Sequence, residues 1–195
     1  YRNIDNTTRW IPWSQPHVNA PVCDRTSQSG VFGFTTFELK SIEYASWWHD
    51  VPLRPAGESA TSAIINMITE IPMYMTAKME VDKSSPGNLI RQDTNKDGSP
   101  RYYSYGTTFF NYGLIPQTWE DPEMMSMGYG ADNDPIDVIE LGNTPLQMGS
   151  ITPCRVIGEL ELIDEGETDH KILCIALSDP LSSQVFSMED LEKVK

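Results

Sequence analysis

The stretch CRVIGELELIDEGETDHKILCIAL, Cys154 to Leu177, decides the fold. Its first part, Cys154 to Ile163, reads as a long strand, and Ile172 to Leu177 reads as a second strand with no polar interruption. The acidic run between them, DEGETDHK from Asp164 to Lys171, has the composition of a hairpin loop. On that reading Asp164 and Asp169 stand at the ends of adjacent strands.

Further strands lie on the N-terminal side. VFGFTTFEL, Val31 to Leu39, is aromatic and β-prone. Ile64 to Ile71 alternates, is β-branched and is ended by Pro72. Ala77 to Val81 puts Ala77, Met79 and Val81 on one face and Lys78 and Glu80 on the other. Lys83 to Pro100 reads as a polar loop, Arg101 to Phe110 as an aromatic strand, and Val138 to Leu141 as a short apolar one. Ser187 followed by Asp190 resembles a helix N-cap. A run of about six or seven short strands with little helix favours a β-barrel or sandwich over a parallel α/β sheet.

Residues 1–30 are polar and turn-rich, an N-terminal leader ahead of a domain over residues 31–195. The sequence starts at Tyr1 rather than Met and stops inside a helix-like run, which points to an excerpt of a longer chain with a C-terminal segment missing. Cys23, Cys154 and Cys174 form no C-x-x-C pair, so neither a disulfide framework nor a zinc site is expected. No apolar stretch is long enough to cross a bilayer as a helix.

The net charge is −14, from 28 acidic and 14 basic residues. Nucleic acid and anionic membranes are therefore poor partners, because they are bound by clustered Lys and Arg. Some of the carboxylates converge in sequence. In DNDPIDV, Asp132 to Val138, Asp132 and Asp134 share one face of an extended segment, and Pro135 bends the chain so that Asp137 can return beside them. Like charges held this close repel unless cations sit among them. Oxygen ligands of this kind select Mg²⁺, or Mn²⁺ as a substitute. DTNKDG, Asp93 to Gly98, starts like a calcium loop but has Ser104 where the bidentate Glu belongs. Lys78, Arg101, Tyr112 and Lys171 are candidate donors to a phosphate-rich substrate.

DNDPIDV resembles the hallmark of the soluble family I inorganic pyrophosphatases. WHDVPL (Trp48 to Leu53), EIP (Glu70 to Pro72), AKMEV (Ala77 to Val81), NYGLIPQTWEDP (Asn111 to Pro122) and DEGETDHK follow the same family's pattern in order. WHDVPL and PQTWEDP are similar to the eukaryotic branch, with a divergent-protist character.

The resemblance implies a mainly β fold with peripheral α: a five-stranded OB-like closed β-barrel with extra strands and flanking helices. It implies Mg²⁺-dependent hydrolysis of pyrophosphate to two phosphates by a metal-activated water, with several Mg²⁺ per site and Mn²⁺ or Zn²⁺ as substitutes. The alternative is an impaired metal- and phosphate-binding module, or a short-chain polyphosphate hydrolase. Asp132, Asp137 and Asp169 would hold a first metal, and Asp137 would reach a second. Asp164 and Asp169 would hold the metal arriving with substrate, and Glu80 would act on a further metal or its waters. Asp134 would be the general base. Lys78, Arg101, Tyr112 and Lys171 would bind phosphate oxygens, and Glu70 would support Lys78. The family also implies a homodimer or higher oligomer, in the cytosol or in an acidic phosphate-storing organelle. The carboxylates are expected to gather at one mouth of the barrel, with Lys78, Glu80 and Arg101 facing them.

Overall fold

In the computed structural model, residues 45–126 and 128–194 are described. The strand expected at Val31 to Leu39, the leader and Cys23 lie outside them. The strands are β1 (Ile64–Ile71), β2 (Met79–Val81), β3 (Ile90–Gln92), β4 (Asn111–Leu114), β5 (Asp137–Glu140), β6 (Ile151–Asp164) and β7 (Glu167–Ala176). Five of them close into a barrel in the order β1-β4-β5-β7-β6. Every neighbouring pair is antiparallel except β5 and β7. This is the mainly β, OB-like arrangement anticipated from the sequence.

The β6–β7 hairpin forms where expected, but its turn is tighter. Asp164 pairs with Glu167, leaving only Glu165 and Gly166 between the strands. Both have positive φ, 47° and 94°, as a two-residue turn matched to strand twist requires. Most of the acidic run is therefore strand rather than loop.

Alternate residues of four strands fill the barrel. Ile65 and Met67 of β1, Val138 of β5, Cys154 of β6, and Cys174 and Ala176 of β7 form one buried cluster with Ile115. Cys154 and Cys174 are free thiols in this core, as anticipated. The outer face of β1 is covered as well: Ile68 and Leu114 pack with Trp47, Val51 and Val81. Burial on both faces explains why Ile65 through Ile71 are all buried, where alternation had been expected. Val81 belongs to this outer cluster, so the β2–β3 ribbon lies over the β1–β4 wall. β3 falls within the segment read as loop.

Arg101 to Phe110 is not a strand. Among the described residues its one β-bridge is Ala77 to Tyr102, further backbone hydrogen bonds tie it to Tyr74 through Lys78 and to Asp93, and its aromatics Tyr102, Tyr105 and Phe109 are exposed. Aromatic content imitated a strand there, while the true strand, β4, begins at Asn111. The only α-helix among the described residues, α1 (Met188–Val194), starts as foreseen. Ser187 Oγ accepts from Asp190 N at 3.3 Å, and the Asp190 carboxylate accepts from Phe186 N and Ser187 Oγ.

β1 carries a bulge: the register shifts between Thr69 and Ile71, so Glu70 is the extra residue. Opposite it, Gly113 has no room for a side chain, since a Cβ there would stand 1.9 Å from Ile68 O and 3.1 Å from Glu70 N. Gly113→Ala must push β4 off β1. A loss of about 3 kcal/mol or more in urea unfolding is expected, at the upper end of overpacking costs; an unchanged midpoint would contradict this packing.

Candidate active site

The centre of the site is delivered by three strands. Barrel-facing Val138, Ile172 and Cys174 alternate with Asp137, Lys171 and Asp169, which therefore stand on the outer face, as does Tyr112 beside Gly113. The carboxylates thus gather on the barrel's outer wall, not in its mouth. Strand register sets Asp137 beside Lys171, and the period of two puts Asp169 on the same side of β7. Lys171 Nζ lies 2.9 Å from Asp137 Oδ2, 2.7 Å from Asp169 Oδ2 and 3.1 Å from Tyr112 Oη. The Tyr112 hydroxyl also donates to Asp137 Oδ2.

Burial pushes the Tyr112 phenol well above its ordinary pKa, and the Asp137 charge adds to this, so the hydroxyl remains a donor. Burial raises Asp137 too, against the pull of Lys171 and Tyr112. Burial draws the Lys171 ammonium down, but Asp137 and Asp169 outweigh it and its pKa rises.

The β2 ribbon supplies a second group. Lys78 Nζ is 3.1 Å from Glu80 Oε2 and 3.3 Å from Asp93 Oδ2, and Arg101 reaches the same Asp93 oxygen at 2.8 Å. Glu70 links the two groups. Its carboxylate, 4% exposed, accepts from Val81 N at 2.6 Å and so fixes β2 on the wall. Burial raises its pKa well above normal, with added repulsion from Asp137, Glu80 and Asp134. Glu70 therefore supports the Lys78 segment through the backbone of β2 rather than by touching Lys78.

The third part is the loop Asp132 to Pro135. Asp134 N donates to Asp132 Oδ1 at 2.9 Å, and Asn133 takes φ 66°, which Asn tolerates through its short polar side chain. Asp134 Oδ1 pairs with Lys83 Nζ at 2.8 Å. A parallel bridge from Ala131 to Thr168 brings Asp132 alongside Asp169. One carboxylate oxygen from each of Glu120, Asp132 and Asp169 lies within 4.8 Å of the others. Octahedral Mg²⁺ holds oxygens at about 2.1 Å, so its ligands lie at most about 4.2 Å apart, and the trio stands a few tenths of an ångström from the spacing one ion would impose. The donors are all carboxylate oxygens, the chemistry of hard cations rather than zinc. Burial raises Glu120 to about 7 and Asp132 to about 6.

Most of the expected residues thus meet on one wall: Asp132, Asp137, Asp169, Lys171 and Tyr112 at the centre, Lys78, Glu80 and Arg101 beside them, and Asp134 at the loop. Asp137 does not join Asp132 and Asp169 as the third member of the carboxylate trio; its contacts are Lys171 and Tyr112, and Glu120 takes that place. Asp164 is not gathered in. It ends β6 near the tip of the hairpin, exposed and with no side-chain hydrogen bond or ion pair among the described residues, because the hairpin continues past the barrel and leaves Leu162 and Ile163 exposed too.

Glu120, Asp93 and Lys83 join the site without a sign in the sequence. Asp93 opens the loop whose start resembles a calcium site. Glu120 lies in PQTWEDP, where nothing local distinguishes it from a surface glutamate.

Residues 67–195 match the inorganic pyrophosphatase family. Over 171 residues the chain is 42% identical to an inorganic pyrophosphatase of Dictyostelium discoideum, covering 87% of this chain and 60% of that protein. A mitochondrial inorganic pyrophosphatase of Saccharomyces cerevisiae is 42% identical over 167 residues, covering 80% of this chain and 52% of the relative. The chain therefore spans about half to three-fifths of the length of these curated relatives. The crystal structure of a type I inorganic pyrophosphatase from Toxoplasma gondii superposes with a TM-score of 0.74 at 42% identity, over 85% of this chain and 75% of that one. With the motifs, the barrel and the outer-wall carboxylates in agreement, the chain belongs to the inorganic pyrophosphatase family.

Proposed function

We propose that the protein hydrolyses inorganic pyrophosphate to two phosphates with Mg²⁺, Asp134 acting as the general base. The observation that carries this reading is the meeting of Asp132, Asp137 and Asp169 with Lys171 and Tyr112 on one wall, with Lys78 and Arg101 in the group that Glu70 links to it. A structural relative at 38% identity, an N-terminally truncated vacuolar soluble pyrophosphatase of Trypanosoma cruzi, is in complex with PPi.

Divalent cations held by Asp132, Asp169 and their neighbours would neutralise phosphate oxygens and acidify water. The chain's own donors have separate tasks. Lys171, Lys78 and Arg101 are charge-assisted donors for phosphate oxygens, and the Tyr112 hydroxyl is a neutral one. In the reaction a water oxygen bonds to one phosphorus as the bridging P–O bond breaks, and its proton passes to an Asp134 carboxylate oxygen. Asp134 is half-exposed, open to a water, and its carboxylate pairs with Lys83. Asp164, with Asp169, remains the candidate for the metal that arrives with substrate, and Glu80 for a further metal or its waters.

A homodimer is part of the same reading, supported by exposed Trp119. For compartment, the buried free thiols support a reducing one such as the cytosol. The vacuolar and mitochondrial names of relatives keep an organelle as the alternative. Among the described residues, no helix is long and apolar enough to cross a membrane.

Asp134→Asn is expected to lower kcat about 10²- to 10⁴-fold in a phosphate-release assay, while Mn²⁺ binding stays close to the parent's. Parent-like turnover would remove Asp134 from the mechanism.

A pH effect follows from Glu120 and Asp132. Cations bind the ionised carboxylates, so protons compete as pH falls through about 7 and then about 6. Mg²⁺ affinity by calorimetry should fall from pH 8 to pH 5.5, with proton release visible as a dependence on buffer ionisation enthalpy. Without metal the sign for stability is the opposite. Both folded pKa values exceed the unfolded values of about 4.3 and 3.9. Their contribution is complete below pH about 4 and is lost as pH rises through about 6 to 7. Affinity independent of pH would contradict the placement of these two groups.

A further inference from the structure

The family resemblance assigns the first metal to Asp132, Asp137 and Asp169; the side chains are arranged differently. We propose that Glu120 is a carboxylate of the divalent-metal site, shared with Asp132 and Asp169, and that it also fixes those two aspartates relative to one another. The inference rests on the metal-dependent reading above and deepens it.

Glu120 is 5% exposed, a rare position for a glutamate unless something compensates its charge. The aspartates beside it divide by partner. Asp137 and Asp169 have the Lys171 ammonium. Glu120 and Asp132 touch no lysine or arginine among the described residues: the Glu120 carboxylate accepts from His170 N at 3.1 Å, and that of Asp132 from Asp134 N. A single neutral backbone donor does not offset a desolvated charge flanked by two others. The oxygens of the trio stand within 4.8 Å of one another, close to the ~4.2 Å between opposite ligands of one octahedral cation, so a small inward shift of the side chains would let one ion hold all three.

Its backbone places Glu120 there. Glu120 N donates to Asp134 O at 2.8 Å, and Glu120 O accepts from Asn133 N at 3.0 Å, so the residue is paired directly with the Asp132–Asp134 loop. Its side chain meanwhile holds His170 N, the residue after Asp169. Glu120 thus ties the loop bearing one ligand to the strand bearing the other. This fixes ligand positions before any cation binds.

A purely structural role makes a different prediction. A glutamine at this position still offers an amide oxygen to His170 N and leaves the backbone pairs untouched, but it brings no charge. Glu120→Gln should therefore fold, with a metal-free melting temperature equal to the parent's or higher, since a buried like charge is gone. It should bind Mn²⁺ about 10- to 100-fold more weakly, as followed by electron paramagnetic resonance of the free ion. Asp132→Asn serves as the reference and should also lose affinity. If Asp132→Asn weakens binding while Glu120→Gln stays within twofold of the parent, the inference is wrong and the proposed function stands. If both variants bind like the parent, the metal reading of this wall fails as a whole. Should Glu120→Gln not fold, the parent decides. Adding Mg²⁺ to protein labelled with ¹³C at glutamate carboxyls should shift the Glu120 signal, and an unmoved signal overturns the inference.

Discussion

One ammonium group is the point on which the site turns. Lys171 Nζ lies within 3.1 Å of Asp137, Asp169 and Tyr112, groups contributed by three different strands. A buried and a half-buried carboxylate side by side on a barrel wall would repel and would be costly to desolvate. A cation between them lets β4, β5 and β7 bring their polar residues to one spot without losing the fold. Even so, Asp137 keeps a raised pKa, so desolvation outweighs the attraction of one lysine. The wall is held together, yet short of positive charge.

The barrel makes this possible by keeping its own stability elsewhere. Its interior is mainly apolar, filled by alternate residues of β1, β5, β6 and β7, with Glu140 and Asn111 hydrogen-bonded to each other at one end, and the other set of alternate positions is free to carry chemistry. The covering layer is fixed by equally specific means. Val81 packs into the outer cluster, and Glu70, displaced by the bulge in β1, accepts from Val81 N. Lys78 and Glu80 are thereby presented by a ribbon whose anchoring is separate from the residues it displays. The absence of a side chain at Gly113 keeps β4 close enough to β1 for this layer to form.

Much of this was legible in the sequence, and the failures have physical causes. The β6–β7 hairpin was readable because long apolar runs around an acidic segment admit few other structures. Asp132, Asp137, Asp169 and Lys171 could be named from motif and period alone, since strand register converts spacing directly into a shared face. Tyr102, Tyr105 and Phe109 misled because aromatic residues suit strands yet here lie exposed on a loop. Asp164 and Asp169 looked equivalent, at opposite ends of one acidic run. Only the pairing of Asp164 with Glu167 reveals that the first lies near the tip of the hairpin. Glu120 could not be found, because its importance comes from contacts with residues up to 50 positions away.

On the proposed function a chain of net charge −14 has to bind a polyanion. Screening limits the reach of most of that charge, since the Debye length is about 8 Å at physiological ionic strength. What a phosphate group meets is therefore the local balance on the wall. There the cationic donors Lys171, Lys78 and Arg101 are each held by aspartates or a glutamate, and Glu120 and Asp132 lack such partners. Divalent cations drawn to the carboxylates would change both facts together. They would supply the missing positive charge, and by competing for Asp137, Asp169 and Asp93 they would release the donors toward substrate. On the proposed function the acidic composition would serve anion binding, because the carboxylates would recruit the charge that the substrate recognises.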